Sequence, residues 1–154
     1  MKYQLLMSII IIVFLAACKP HKNDYKDKAV GLKKDDSIFL ALKDTAQAYI
    51  RDFIDTLNVY GKDTVKYKFQ IKSDYVDKGV HEHMWSQISK YKNGVFKGLF
   101  ADSAIDVKNI KAGDSVSIQK KDVEDWVIYN TVDHKSMGYF SEEYLRSKAK
   151  KSQK

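Results

Sequence analysis

The sequence contains very little cysteine and proline, with one of each in 154 residues. A single cysteine excludes an internal disulfide framework and any metal site that needs several thiolates. Seven glycines, 31% charged residues and 44% hydrophobic residues exclude a collagen-like chain, a low-complexity disordered chain and a polytopic membrane protein. The composition is that of a folded domain, and the length suffices for one hydrophobic core rather than two.

The sequence also lacks an excess of acidic residues, since its formal net charge is +7. This positive charge lies mainly in the two tails: residues 29–140 carry 17 basic and 16 acidic side chains, whereas residues 141–154 carry five and two. A domain that is nearly neutral offers no basic face to a phosphate backbone. The sequence therefore predicts no nucleic-acid partner.

The first 18 residues predict an export signal. Lys2 precedes an almost wholly apolar run over residues 5–15, which is too short to cross a hydrocarbon core of about 30 Å. The run ends in Leu15-Ala16-Ala17-Cys18, which resembles a bacterial lipobox. The resemblance implies that a lipoprotein signal peptide (residues 1–17) is cleaved, that the Cys18 sulfur carries a diacylglyceryl group, and that a fatty acid such as palmitate acylates the new amino group.

A lipid on Cys18 predicts a membrane-anchored protein of the bacterial cell envelope. Each acyl methylene buried in the bilayer contributes about 0.8 kcal/mol, so several chains hold a protein there without any other contact. Lys19 stands where an aspartate would retain such a protein at the inner membrane. In a Gram-negative cell we therefore expect the outer membrane, with the domain facing the periplasm or the cell surface.

The mature chain divides into a polar tether (18–35), one domain (36–146) and a basic tail (147–154). The domain opens with apolar residues spaced three and four apart between Ser37 and Tyr60. This spacing is typical of one long amphipathic helix. Asp36 can cap the start of the helix and Gly61 can end it.

After this helix the apolar period changes from 3.6 to 2, which predicts strands. Asn93-Gly94 predicts a tight hairpin between the strands 80–92 and 95–100. A regular hairpin of this type pairs residues whose numbers sum to 187, so Trp85 is expected on the packed aromatic face and Glu82 on the opposite, exposed face. The register predicts that Trp85→Ala costs about 3 to 5 kcal/mol and that Glu82→Gln is nearly neutral.

Other segments complete the predicted fold. Residues 65–72 alternate apolar residues with polar ones that include Lys72, which indicates a strand with one solvated cationic face. Residues 115–119 and 123–130 predict further strands, and Ser141 can cap a short helix. The predicted fold class is α+β: one long amphipathic N-terminal helix packs on a curled antiparallel sheet of about five strands, and a short C-terminal helix follows.

Short motifs in the domain are shared with one bacterial family. The strongest are Glu82-His83-Met84-Trp85 and Asp125-Trp126 at this separation, and the others are Gly94, Gly98, Gly113-Asp114, Gly138-Tyr139 and Leu145-Arg146. On these residues, the region from about 62 to 146 resembles the YegJ-like family, domain of unknown function 2314. The segment Ala101-Asp102-Ser103-Ala104 departs from the family, in which an asparagine and a proline are expected. The family has no established activity, so the resemblance implies a fold and no reaction.

Two pairs of side chains have the chemistry of a site. His81 and His83 lie two residues apart on one strand and can share a metal ion, but the predicted register gives them no well-placed third ligand. We therefore expect neither a bound metal nor a cofactor. Glu82 and Asp125 could form a carboxylate pair for acid/base chemistry, although carboxylates next to tryptophan are also common partners for an indole N–H or an arginine.

Trp85 and Trp126, together with Tyr129, either fill the core or line an aromatic groove for a peptide or glycan. The candidate ligand-binding residues are Glu82, His83, Trp85, Asp125 and Trp126. We expect a non-enzymatic binding or accessory module of the cell envelope with a protein or peptide partner. A weak hydrolase or metal-dependent enzyme around His83 is one alternative, and an immunity-type protein that caps a toxin is another.

Overall fold

The computed structural model describes residues 35–151, and side chains up to residue 148. The predicted signal peptide, Cys18 and almost all of the tether therefore lie outside the described residues. No helix in the described part of the chain is long and apolar enough to cross a membrane. The elements are α1 (Ser37–Ala48), α2 (Ile50–Tyr60), β1 (Tyr67–Asp77), β2 (Val80–Lys92), β3 (Val95–Phe100), β4 (Ser115–Gln119), a 3₁₀ turn (Lys120–Asp122), β5 (Val123–Asn130), β6 (Lys135–Gly138) and α3 (Glu142–Lys151).

The prediction of one long N-terminal helix is wrong, because the helix breaks at Tyr49. Asp36 caps α1 through the Phe39 N–H, and Gly61 ends α2, as expected. At the break, the Ala46 carbonyl, which an unbroken helix would pair with the Ile50 N–H, accepts instead from the indole Nε1 of Trp126 at 2.9 Å. The apolar spacing continues across the break, so the sequence pattern does not reveal it.

The sheet has six strands rather than the predicted five, in the order β4-β3-β2-β1-β5-β6, and every neighbouring pair is antiparallel. The additional strand is β6, which has four residues and only one large apolar side chain, Met137. Such a strand is too short to show an apolar period. The domain is therefore mostly a six-stranded antiparallel sheet with three helices, which corrects the predicted fold class.

The predicted register of the β2–β3 hairpin holds only near its turn. Lys92 pairs with Val95 and Lys90 with Lys97, but Ile88 then pairs with Gly98, so Ser89 is an extra residue in a β-bulge. The bulge needs a glycine opposite it, because a Cβ at Gly98 would lie 1.9 Å from the carbonyl oxygen of Gln87. Because of this extra residue, the side chains of β2 that precede Ser89 lie on the opposite faces from those predicted.

The two sheet faces therefore differ from the prediction. The inner face carries the hydrophobic core under α2, and Phe53 of α2 packs its ring against Phe69, Phe96 and Trp126. The outer face carries Lys72 and Trp85, which pair directly across β1 and β2. The prediction that Trp85 lies in the core is wrong, and so is the prediction of a solvated Lys72, since this residue is only 4% exposed.

The helix α3 reaches the outer face because its first turn and its middle are both fixed. A buried Ser141 precedes it and bonds to β5. The Tyr144 hydroxyl donates to both carboxylate oxygens of Asp36, at 2.6 and 2.7 Å, and the Lys148 ammonium lies 3.1 Å from the same carboxylate. These bonds and the helix cap hold the pKa of Asp36 at about 2, so the carboxylate stays charged and joins the two ends of the domain.

Candidate functional site

The buried lysine of the outer face is the centre of a polar cluster. The Lys72 ammonium lies 4.8 Å from the centre of the Trp85 ring and 3.8 Å from a carboxylate oxygen of Glu142 in α3. Burial lowers the pKa of Lys72, whereas the nearby carboxylates of Glu142 and Asp125 act in the opposite direction. Contact with a ring face and with carboxylates is how a buried ammonium ion is compensated.

Asp125 ties the C-terminal segment to the sheet. Its side chain is fully buried and accepts from the backbone N–H of Ser141 at 2.8 Å, the hydroxyl of Ser141 at 2.6 Å and the backbone N–H of Phe140 at 3.1 Å. It also accepts from the N–H of Trp126 at 2.8 Å. A carboxylate with four donors is a structural anchor, and the expected acid/base pair with Glu82 does not form because the two residues belong to opposite faces.

The two histidines of β2 each bond to a carboxylate. The Nδ1 atom of His83 lies 2.6 Å from Glu124, and Glu124 lies 3.4 Å from the Lys43 ammonium of α1. The Nδ1 atom of His81 lies 2.7 Å from Asp74. The hydrogen bond to Glu124 is the main reason that the pKa of His83 is raised, with burial acting against it.

The histidine pair does not form a complete metal site. Within residues 35–148, no group of three or more His, Cys, Asp or Glu side chains is placed to hold a metal ion. Asp102, near Trp85 on the strand of the two histidines, uses its carboxylate to accept from the backbone N–H groups of Trp85 and Ser103. The arrangement of His83 and Glu124 can orient an imidazole and hold a proton on it.

Glu82 has a clear structural partner. Its carboxylate accepts from three successive backbone N–H groups, those of Ile105, Asp106 and Val107, at 2.8 to 3.0 Å. Burial raises the pKa of Glu82, but these three bonds outweigh burial and lower it overall. The expectation that Glu82 is fully exposed is wrong, because the side chain is partly buried where it binds the loop between β3 and β4.

A small aromatic patch lies beside the polar cluster. We define the aromatic patch as Trp85, Tyr139 and Arg146. The rings of Trp85 and Tyr139 lie 5.5 Å apart, and Tyr139 is 37% exposed. Next to them is a depression of about 210 Å³ lined by Tyr139, Glu142, Glu143 and Arg146.

The backbone of Tyr139 is unusual. Its φ angle is +70°, which is rare for an aromatic residue. The segment is held there because the Tyr139 N–H donates to the Trp126 carbonyl at 2.8 Å and because the preceding Gly138 has no Cβ, which would lie 2.2 Å from that carbonyl oxygen. Strained backbone of this kind is concentrated at functional sites in proteins.

The structure brings together only some of the residues that the sequence predicts as a site. His83, Trp85 and Asp125 do share the outer face, whereas Trp126 fills the inner core and Glu82 serves a loop. Lys72, Glu124, Tyr139, Glu142 and Arg146 were missed. A signal existed for two of them, because Gly138-Tyr139 and Leu145-Arg146 are among the motifs shared with the bacterial family. Nothing in the sequence pairs Lys72 with a carboxylate 70 residues further on.

Comparison with known proteins supplies a family. Residues 36–154 match the family model of an uncharacterized protein conserved in bacteria, DUF2314. The chain belongs to this family. The DUF2314 match begins at the residue that caps α1 and includes every strand and helix of the described domain. The predicted membership in the DUF2314 family is confirmed. Comparisons with curated proteins and with solved structures found no match.

Proposed function

We propose that this DUF2314 protein is a lipid-anchored protein of the bacterial envelope whose domain binds a protein or peptide partner through the aromatic patch. The observation that carries the proposal is the position of Tyr139, a large side chain that a strained backbone holds at the surface beside Trp85. Tryptophan, tyrosine and arginine are the residues that most often dominate the binding energy of protein interfaces. The adjoining depression can accept one side chain of a partner.

The charges around the patch favour binding over catalysis. Asp125 is occupied by four donors, and Glu124 by His83 and Lys43. The bonds of Asp125 position the start of α3 and the patch, and those of Glu124 connect the sheet to α1. No reaction is needed to explain the burial of either carboxylate. An immunity protein would be one form of this function, with a toxin as the partner.

A hydrolase or metal-dependent enzyme around His83 is the second candidate. It is supported by the bond between His83 and Glu124, since a carboxylate on Nδ1 is how a histidine base is often oriented. The two candidates differ in the residue on which they depend. His83→Gln would abolish an enzyme and leave patch binding intact, whereas Arg146→Glu would have the reverse effect.

The binding proposal can be tested by photocross-linking from the patch. A photoreactive phenylalanine analogue at Tyr139 should form one specific cross-linked product in cells, and Arg146→Glu should reduce its yield at least about tenfold. The matched control is Tyr60, which is 45% exposed at the end of α2 and distant from the patch in sequence and element. Equal yields at both positions, or a yield unaffected by Arg146→Glu, would contradict the proposal.

The anchoring proposal is supported by the lipobox ending in Cys18 and by the tether that follows it. Eighteen residues, 18–35, span at most about 60 Å when extended, so the domain could meet partners well away from the bilayer. Cys18→Ser removes the sulfur that accepts the lipid. Labelling with a palmitate analogue should then be lost and the protein mislocalised, and unchanged labelling would exclude this anchor.

A further inference from the structure

The free edges of the sheet are not equally protected. The edge strand β6 is only four residues long and ends at Gly138 with φ +87°. At the start of β5, which β6 does not cover, Gln47 of α1 donates its side-chain N–H to the carbonyl of Val123 at 2.6 Å and to that of Lys120, in the preceding 3₁₀ turn, at 2.9 Å. The remaining edge is β4, with the sequence Ser-Val-Ser-Ile-Gln. It has no proline, no charged residue and no bulge, which are the usual devices that keep an edge from pairing.

The register of β4 shows which backbone groups are free. Next to the strand, the Phe100 N–H donates to the Asp114 carbonyl and the Lys120 N–H donates to the Gly94 carbonyl. Because antiparallel pairs alternate, the backbone groups of Val116 and Ile118 also face β3. The backbone N–H and C=O groups of the alternate residues therefore point away from the sheet. These residues are Ser115, Ser117 and Gln119, and all three are exposed.

These outward groups have no partner within the described part of the chain. Three donors and three acceptors in a straight row form a template for another strand. The side chains at the edge are small or neutral, so neither bulk nor charge repels an approaching strand.

We propose that β4 pairs with β4 of a second copy of this chain, antiparallel and about a two-fold axis through Ser117. In this register the numbers of paired residues sum to 234, so Ser117 meets Ser117 of the second copy and Ser115 meets Gln119. All of these residues have outward-facing backbone groups, and the three pairs exchange six hydrogen bonds. A two-fold interface requires a self-complementary surface, and this edge is one.

Charge complementarity identifies the second copy as the occupant. The same register places Lys120 of each copy opposite Asp114 of the other, one at each end of the paired strands. Any shift of two residues would lose these opposite-charge pairs, which favour cross-strand pairing. Val116 and Ile118 face the core in each copy, so pairing would join the two inner faces into one sheet of twelve strands.

Disulfide cross-linking tests the register directly. In the full-length protein in cells, Ser117→Cys should give a disulfide-linked dimer, because the paired Cα atoms lie about 5.5 Å apart. The yield should be well above that of the wild type, which is the background for any cross-link through Cys18. Ser115→Cys should not, since the two copies of residue 115 would be four residues out of register. Adding Gln119→Cys to Ser115→Cys should restore the cross-link. No dimer with Ser117→Cys, or equal yields with Ser115→Cys, would overturn the proposal.

The mass of the purified full-length protein in detergent gives an independent measurement. The wild type should have the mass of a dimer, and Ser117→Lys should shift it to a monomer, because two ammonium groups would then meet on the axis. Ser136→Lys on β6, an exposed serine at the other edge, is the matched control and should remain dimeric. A wild-type monomer, or an equal response of the two variants, would contradict pairing through β4. The thermal midpoint of each monomeric variant shows that it is folded.

Discussion

The two faces of the sheet each carry one tryptophan, and the two residues are stabilised differently. Trp126 on the inner face is 1% exposed and packs against Phe53, with its indole N–H bonded to the Ala46 carbonyl. Trp85 on the outer face is partly exposed, and its ring contacts the Lys72 ammonium and Tyr139. The inner face depends on apolar burial, which is not directional, whereas the outer face depends on specific partners. Trp85 and Tyr139 of the aromatic patch are accessible to solvent on the outer face.

Truncating each tryptophan should give the largest difference between the faces. Trp126→Ala removes a fully buried ring and leaves the Ala46 carbonyl unpaired, so we expect a loss of about 3 to 5 kcal/mol in the free energy of unfolding. Trp85→Ala should cost about 1 to 2 kcal/mol, since the ring is partly exposed and its contact with Lys72 is worth about 1 kcal/mol. Denaturant unfolding measures both. Equal losses would mean that the faces are wrongly assigned.

Removing the buried carboxylate of the outer face should have the next largest effect. Asp125→Ala leaves four donors without an acceptor, and we expect a loss of about 2 to 4 kcal/mol. The damage should be concentrated in the C-terminal segment, because Ser141 loses two of its bonds. Limited proteolysis after residue 138 should therefore become faster before the core unfolds. Asp133→Ala, at an exposed turn, is the control and should change neither measurement.

Replacing Glu82 by glutamine should have a smaller effect on the free energy of unfolding. This variant also distinguishes the predicted faces of β2 from the observed ones. The sequence predicted an almost neutral Glu82→Gln, whereas three backbone N–H donors predict a loss of about 1 to 2 kcal/mol. Hydrogen exchange of the Ile105, Asp106 and Val107 amides should accelerate in this variant. Unchanged protection at these amides would show that the loop does not depend on the carboxylate.

The sequence predicted the strands of the β2–β3 hairpin correctly but assigned the residues beyond the bulge to the wrong faces. Local signals were enough for the first, since Asn93-Gly94 specifies a turn and the apolar period specifies strands. The faces depend on one extra residue, Ser89, and a single slip reverses every side chain beyond it. Gly98 in the middle of β3 was the available signal, because glycine inside a strand often marks a bulge.

The parts that could not be predicted depend on contacts between distant residues. The break at Tyr49 coincides with a bond from Trp126, which lies 80 residues beyond Ala46 in the sequence. The burial of Lys72 depends on α3, and the alternation of β1 alone assigned that lysine to solvent. Asp125 was recognised as a candidate from its motif, but its role as an anchor follows only from the position of Ser141.

The smallest expected effect is a dependence of stability on pH that belongs to His83. Its pKa is raised in the folded protein, mainly by the bond to Glu124, so the folded state holds a proton more strongly than the unfolded chain does. The resulting stabilisation is complete below the unfolded pKa of about 6.5 and is lost as the pH rises through the folded pKa. Relative to His83→Gln, the thermal midpoint of the wild type should therefore fall by a few degrees between about pH 6 and pH 8.

Lys72, whose pKa is lowered, contributes with the opposite sign at higher pH and cancels in this difference. His134→Gln, at an exposed turn, leaves the pair of His83 and Glu124 intact and should follow the wild type. If the wild type and His83→Gln respond to pH in the same way, the bond to Glu124 does not hold a proton on His83 in solution.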